Sequence, residues 1–371
     1  MKKILLMYIS EHSGHHQASI ALEKAILAKD PTCSVRNINA FKYTSPIIEM
    51  ITHKAYMGII KKRPEIWGYL YDNPGVVKKT QRLRDLVNDA GSKKIDKIIN
   101  QFRPDVIACT QAYPCGIVAS YKRTHRVDIP LVATLTDYAP HAYWIYEDVD
   151  AYIVPSDEIK RAFIKKGVPA EKIKTLGNPI DSNFEKSLNK NDICKKTGLS
   201  LKSPIILVMG GTHGIGPDEK LITALDDSSK EFQVVVVAGV NKKLYKKIKN
   251  ISGTFKKRIT IMGFIDNVHE LMEISKVIIT KPGGLTTAEA LAKSLPMIIL
   301  NPLPGQESLN TKILTNEGIA LMAIDANDAV RILEELLDNP DKIKKMQDIM
   351  KAHAKPYSAS DIAEFLLKLP S

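Results

Sequence analysis

The residues from Lys281 to Asn310, KPGGLTTAEALAKSLPMIILNPLPGQESLN, combine types that can hold a nucleoside diphosphate. Pro282, Gly283 and Gly284 interrupt an apolar run, and Leu285 to Lys293 then has helical spacing, with Leu285, Ala288, Leu291 and Ala292 on one face. A glycine pair lets backbone approach a ligand closely, and the N–H groups of a first helical turn are free to bind an anion. Thr286 and Thr287 add hydroxyls beside them. Glu289, about one turn in, can accept hydrogen bonds from the two hydroxyls of a ribose. The turn Asn301–Glu307 projects Gln306 and Glu307 toward the same place. The competing reading is a tight strand–helix turn whose glycines only serve packing.

A second group lies near the start. His12, His15 and His16 fall in Ser10–His16, and a histidine titrates close enough to neutrality to act as a general base. Helix capping or plain solvation is the alternative for each. Asp137 and His141 lie in a comparable segment, Thr136–Trp144.

Strands and helices must position these groups. Apolar runs at 4–9, 105–109, 131–135, 151–155 and 173–176 predict buried parallel strands in the first half; 204–209, 234–238, 259–262, 277–280 and 295–300 do so in the second. Helical patterns lie between them, including 17–28 and 156–166, and 359–369 ends the chain as a docked helix. The reading is an α/β chain of two Rossmann-like domains with a ligand cleft between them: 1–180, a polar, lysine-rich linker at 181–203, then 204–355, with 356–371 as a C-terminal helix. All the candidate groups follow strands, and the carboxyl ends of parallel strands are where such folds bind ligands. Gly210–Gly216 is a further glycine turn after a strand, a common feature that carries little alone.

Composition narrows the partners. Of 371 residues, 53 are Lys or Arg and 41 Asp or Glu, a net charge of +12 that favours anionic partners. The four cysteines have no metal or disulfide spacing, which suits a reducing cytosol, and no metal site is expected. The apolar run after Lys2-Lys3 is too short for a signal peptide, and no stretch approaches the ~20 apolar residues of a membrane span. Residues 40–104 interleave Phe41, Tyr43, Tyr56, Trp67, Tyr69 and Tyr71 with basic residues, among them Lys61, Lys62, Arg63, Lys78, Lys79, Arg82 and Arg84. With the amphipathic run Pro46–Ile60, that composition suits peripheral attachment to an anionic bilayer. A helical hairpin packed within the domain has equal weight. No nucleic-acid motif accompanies the charge, so nucleic acid is not expected as a partner.

Several motifs occur together: Gly14-His-His-Gln17, Thr136-Asp-Tyr-Ala-Pro-His141 with Trp144, Gly177-Asn-Pro-Ile180, Gly210-Gly-Thr-His-Gly214, Gly263-Phe-Ile-Asp-Asn267, Lys281-Pro-Gly-Gly-Leu-Thr286 and Asn301-Pro-Leu-Pro-Gly-Gln-Glu307. In this order the chain resembles a GT-B glycosyltransferase of family 28, in the branch holding diacylglycerol glucosyltransferases and monogalactosyldiacylglycerol synthases. The resemblance implies an inverting enzyme that moves glucose or galactose from a UDP-sugar to diacylglycerol, at the cytoplasmic face of the cell membrane. The UDP-sugar is a co-substrate, and no cofactor is implied. Gly283, Gly284, Leu285 and Thr286 would bind the diphosphate, Glu289 the ribose, and Phe264 and Ile265 the uracil. Gln306 and Glu307 would meet the sugar. Gly14, Gly211, His213, Lys281, Gly305 and Asn310 would complete the donor side. His15 would be the base, with Asp137 as alternative or partner, and His16, His141 and Trp144 would lie toward the acceptor. One position departs from the pattern: relatives carry Gly-x-Gly-His, and His12 stands in place of the first glycine. A UDP-sugar epimerase and a non-catalytic nucleotide-sugar sensor are the competing functions on this fold.

Overall fold

The computed structural model describes residues 1–11, 13–44, 74–139, 141–211, 214 and 218–370, with backbone only over 74–83. The apolar run Pro46–Ile60 and the basic and aromatic residues from Lys54 to Tyr71 therefore lie outside the described residues, as do His12 and His213.

Two parallel sheets of six strands each form the framework. The first contains β1 (Lys3–Tyr8), β2 (Ser34–Asn39), β3 (Val106–Cys109), β4 (Leu131–Thr134), β5 (Ala151–Ile153) and β6 (Ile173–Lys174), in the order β2-β1-β3-β4-β5-β6. The second contains β7 (Ile205–Met209), β8 (Gln233–Val237), β9 (Ile259–Met262), β10 (Val277–Thr280), β11 (Met297–Leu300) and β12 (Ala320–Ala323), in the order β12-β11-β10-β7-β8-β9. Helices cover both faces of such a sheet, so central strands read as unbroken apolar runs. Ile205–Met209 and Val277–Thr280 are buried at every position. Between β1 and β3, and again between β7 and β10, consecutive strands depart in opposite directions. At these switch points the loops diverge and leave a crevice at the carboxyl ends.

β2 and β12 do not appear among the expected strands. β2, Ser-Val-Arg-Asn-Ile-Asn, is an edge strand with only its last two residues buried; β12 is an edge strand with Met322 exposed. β2 lacks the continuous apolar run that marks a central strand, whereas β12 lies within one, Ile319–Ile324.

The chain forms two compact units. One holds Met1–Ser182, Pro304–Gln306 and Tyr357–Ser371; the other holds the rest. The last helix, Ser358–Lys368, packs in the first unit on helix Gly14–Lys29 and puts Ile362, Ala363 and Leu366 into a core with Ile4, Leu22, Val106 and Ile153. The 181–203 segment is more than a tether: helix Lys190–Thr197 buries Ile193 and Cys194 in the second unit. The described end of the 40–104 segment is likewise packed. Helix Pro74–Phe102 lies on helix Ala112–His125 and buries Ile95, Ile98 and Ile99. Arg84, expected on a membrane-facing surface, instead lays its guanidinium over Tyr143 and Tyr146, 5.2 and 5.4 Å from the ring centres. There the aromatic faces stabilise the cation in place of water.

Candidate active site

In the second unit, β10 runs into Lys281, and helix Gly284–Ala292 starts immediately after. Gly283 is the N-cap, and its φ of −68° is open to any residue. A Cβ built there would meet nothing within 4 Å. Neither backbone strain nor packing therefore demands glycine at 283; what the glycine preserves is empty space over the first turn of a helix. That turn lies at the positive end of the helix dipole, where backbone N–H groups favour an anion. Gly211, in the turn after β7, does need its glycine, with φ at +65°. A Cβ there would lie 3.5 Å from Lys281 Cε, so the glycine turn and the lysine are neighbours at the β7–β10 switch point.

The turn after β11 is braced on the same spot. Glu307 forms an ion pair with Lys281 and accepts the Leu303 N–H at 2.9 Å. Asn310 is fully buried and donates to the Pro282 carbonyl at 2.9 Å. The family resemblance puts both residues on the donor. In the structure they bond to protein groups, and they hold the Lys281–Gly284 and Asn301–Gly305 turns against each other. Gly305 has φ at +83°, a left-handed turn that lets helix Gln306–Asn316 begin. Thr286, Leu285, Glu289 and Gln306 are half-buried, and Phe264 stands exposed in the loop after β9 beside half-buried Ile265.

The first unit carries the histidines. The helix expected over 17–28 begins earlier, at Gly14, because Ser13 caps it: the Ser13 hydroxyl accepts the His16 N–H at 3.2 Å. His15 and His16 thus belong to the first helical turn and not to a loop. The two rings part. His16 stacks on Tyr8, with ring centres 4.1 Å apart, and sets Nδ1 3.7 Å from a Glu11 oxygen. The His15 Nδ1 lies 3.0 Å from the Thr110 carbonyl and 2.7 Å from the Thr136 hydroxyl. Thr110 follows β3 and Thr136 follows β4, so His15 sits at the β1–β3 switch point.

A carbonyl can only accept, so Nδ1 carries the proton and Nε2 presents a lone pair. Burial of the ring, partly offset by the bond to the Thr110 carbonyl, holds the His15 pKa at about 4, below its ordinary 6.5. The imidazole is therefore neutral at neutral pH. Asp137 follows Thr136 and is half-buried. His141 accepts the Tyr143 N–H at 3.1 Å as cap of a short 3-10 turn, and Trp144 within that turn is buried. Sequence reasoning missed Thr110 as a site residue and Ser358 behind it, and gave Asn178, within the Gly177–Ile180 motif, no role at the site. Among the described residues no cluster of three His, Cys, Asp or Glu side chains is placed to hold a metal, and no helix is long and apolar enough to cross a membrane.

Residues 15–180 match the family model for monogalactosyldiacylglycerol (MGDG) synthase, and residues 205–366 match that for the glycosyltransferase family 28 C-terminal domain. A processive diacylglycerol beta-glucosyltransferase of Bacillus thuringiensis (strain Al Hakam) is 30% identical over 370 residues, covering 99% of this chain and 93% of that protein. Among solved structures, Acinetobacter baumannii MurG superposes with a TM-score of 0.63 at 14% identity over all of both chains. The UDP-GlcNAc 2-epimerase of Neisseria meningitidis, bound to UDP-GlcNAc, also reaches 0.63, at 16% identity over 99% of this chain and 100% of its own. At such identities the two structures establish the shared GT-B fold.

Proposed function

The chain belongs to the diacylglycerol glycosyltransferases of family 28 and is a UDP-sugar-dependent glycosyltransferase, and on that premise we propose that it transfers glucose from UDP-glucose to the hydroxyl of diacylglycerol with inversion at the anomeric carbon. The observation that carries this reading is the 30% identity to a diacylglycerol glucosyltransferase over nearly the whole length of both chains. UDP-galactose is the competing donor.

In this mechanism the UDP diphosphate lies on the N-terminus of helix Gly284–Ala292, over the space kept by Gly283. The charge that develops on the leaving phosphate meets fixed N–H dipoles already aimed at it. Glu289 holds the ribose, the loop at Phe264 and Ile265 the uracil, and Gln306 the sugar. The acceptor hydroxyl attacks the anomeric carbon from the face opposite UDP, and His15 Nε2 takes its proton. A neutral imidazole with a low pKa is wholly in its basic form at neutral pH. The two oxygens at Nδ1 stabilise the imidazolium it becomes. Asp137 is the second candidate for base. The lipid acceptor brings the protein to the inner face of the cell membrane, with the basic, aromatic segment 40–104 supplying the attachment surface.

Incubation with diacylglycerol vesicles and each labelled UDP-hexose, followed by lipid chromatography, tests the reading. The expected result is label in the lipid fraction from UDP-glucose. Label from UDP-galactose alone would replace the donor. An unlabelled lipid with an altered sugar nucleotide would indicate an epimerase, and no turnover a sensor.

A further inference from the structure

Behind His15 stands a line of buried polar groups. The Thr136 hydroxyl meets Nδ1 at 2.7 Å and lies 3.4 Å from the Thr110 carbonyl. Donating to that carbonyl, it turns a lone pair toward Nδ1. The Thr110 hydroxyl in turn donates to the His15 carbonyl at 2.9 Å. On the other side, Asn178 Nδ2 donates to the Thr136 carbonyl at 3.2 Å, and the Ser358 hydroxyl donates to the Asn178 carbonyl. Thr110, Thr136, Asn178 and Ser358 are each at most 3% exposed. Burying four polar side chains in succession is costly unless each finds a partner, and the partners here lead from the start of the last helix to the ring.

Resting on the assignment of His15 as base, we propose that Thr136 is a positioning residue that holds the His15 ring as its Nδ1–H tautomer with Nε2 toward the acceptor, and that Asn178 and Ser358 fix Thr136 in that duty. The last helix thereby acts on the chemistry of the first unit from more than 200 residues away in sequence. A free imidazole exchanges between tautomers, and the Nε2–H form has no lone pair at Nε2 with which to take the acceptor's proton. Two oxygens at one nitrogen remove that freedom. They also give the transient imidazolium two acceptors where a carboxylate would give it a counter-charge. A neutral pair does this without the rise in ring pKa that a carboxylate would bring.

The test uses the full chain with labelled histidine. Long-range proton–nitrogen NMR reads the His15 tautomer, and steady-state transfer from UDP-glucose to diacylglycerol reads kcat and KM separately. The wild type should show Nδ1–H alone. Thr136→Val should admit an Nε2–H fraction and lower kcat about tenfold, the loss of one hydrogen bond, while KM for UDP-glucose stays put. Thr136→Ser, which keeps the hydroxyl, should restore both. Ser358→Ala, remote from the ring, should shift the tautomer in the same direction with a smaller fall in kcat; it also carries the test if Thr136→Val fails to fold. A wild-type Nε2–H ring overturns the proposal. So does Thr136→Val, or in its absence Ser358→Ala, with an unchanged tautomer and kcat. If His15→Ala retains the full rate while the tautomer still follows Thr136, the assignment of the base fails and the positioning stands.

Discussion

In the proposed mechanism the two switch points do different work, and they are made of different materials. That of the second sheet is built from backbone: a glycine without a positive φ, empty space above it and the first turn of a helix. Its side chains, Glu307 and Asn310, brace turns. That of the first sheet is built from side chains drawn from separate strand ends, with His15 bonded to residues 95 and 121 positions away. A leaving diphosphate needs several donors fixed in place, which backbone supplies with little conformational freedom to lose. A proton acceptor needs one nitrogen in one tautomer, which only neighbouring side chains and carbonyls can enforce.

The division is easiest to break at the base. His15→Ala should lower kcat by roughly 10²–10⁴ and leave UDP affinity close to wild type. Calorimetry beside steady-state kinetics checks it, and a parallel loss of UDP affinity would mean that the two edges are not separable. Charge reversal of Lys61, Lys62 and Arg63 to Glu should weaken attachment to anionic vesicles by about 3 kcal/mol, at about 1 kcal/mol per basic residue. The vesicle-binding constant read by sedimentation should then fall more than a hundredfold, with UDP binding unaltered. Sedimentation indifferent to the change would assign the segment to packing.

On the other edge, Glu289→Ala should weaken UDP binding by about 1.5–3 kcal/mol, the worth of a hydrogen bond to a charged group. Gly283→Ala sharpens the argument for backbone. Its φ suits alanine and its Cβ meets no protein atom, so the fold should lose nothing. A methyl group in the ligand's space should still cost about 1–3 kcal/mol of UDP affinity. Unchanged affinity would return Gly283 to an ordinary turn.

The smallest effect is on stability. The native pKa of His15, about 4, lies below the 6.5 of an unfolded histidine. Between those values the unfolded chain binds a proton that the native ring refuses, so stability falls as pH drops from 6.5 toward 4 and is unaffected by this group above 6.5. Melting temperatures across that range should fall less steeply in His15→Gln. Equal slopes would place the titration elsewhere.

These two constructions also explain what the sequence displayed. The Lys281–Asn310 segment was legible because a glycine turn, a helix start and a second turn are local, contiguous signals. Central strands such as Ile205–Met209 were legible for the same reason, since burial on both faces writes an apolar run. Thr110, Thr136, Asn178 and Ser358 were not legible as a set: a threonine after a strand looks the same whether or not a histidine arrives from another loop. The helix start at Gly14 was displaced because Ser13 caps two residues ahead of the histidine pair and the apolar pattern begins only later. The edge strand β2 was missed because polar residues interrupt it and only its last two positions are buried.

A lipid hydroxyl that displaces UDP from the opposite face inverts the anomeric carbon. The anomeric proton of the purified product lipid, read by NMR after transfer from α-linked UDP-glucose, tests it most directly. The expected product is a β-linked glucosyl diacylglycerol. An α-linked product, or free glucose with no glycolipid, would contradict it.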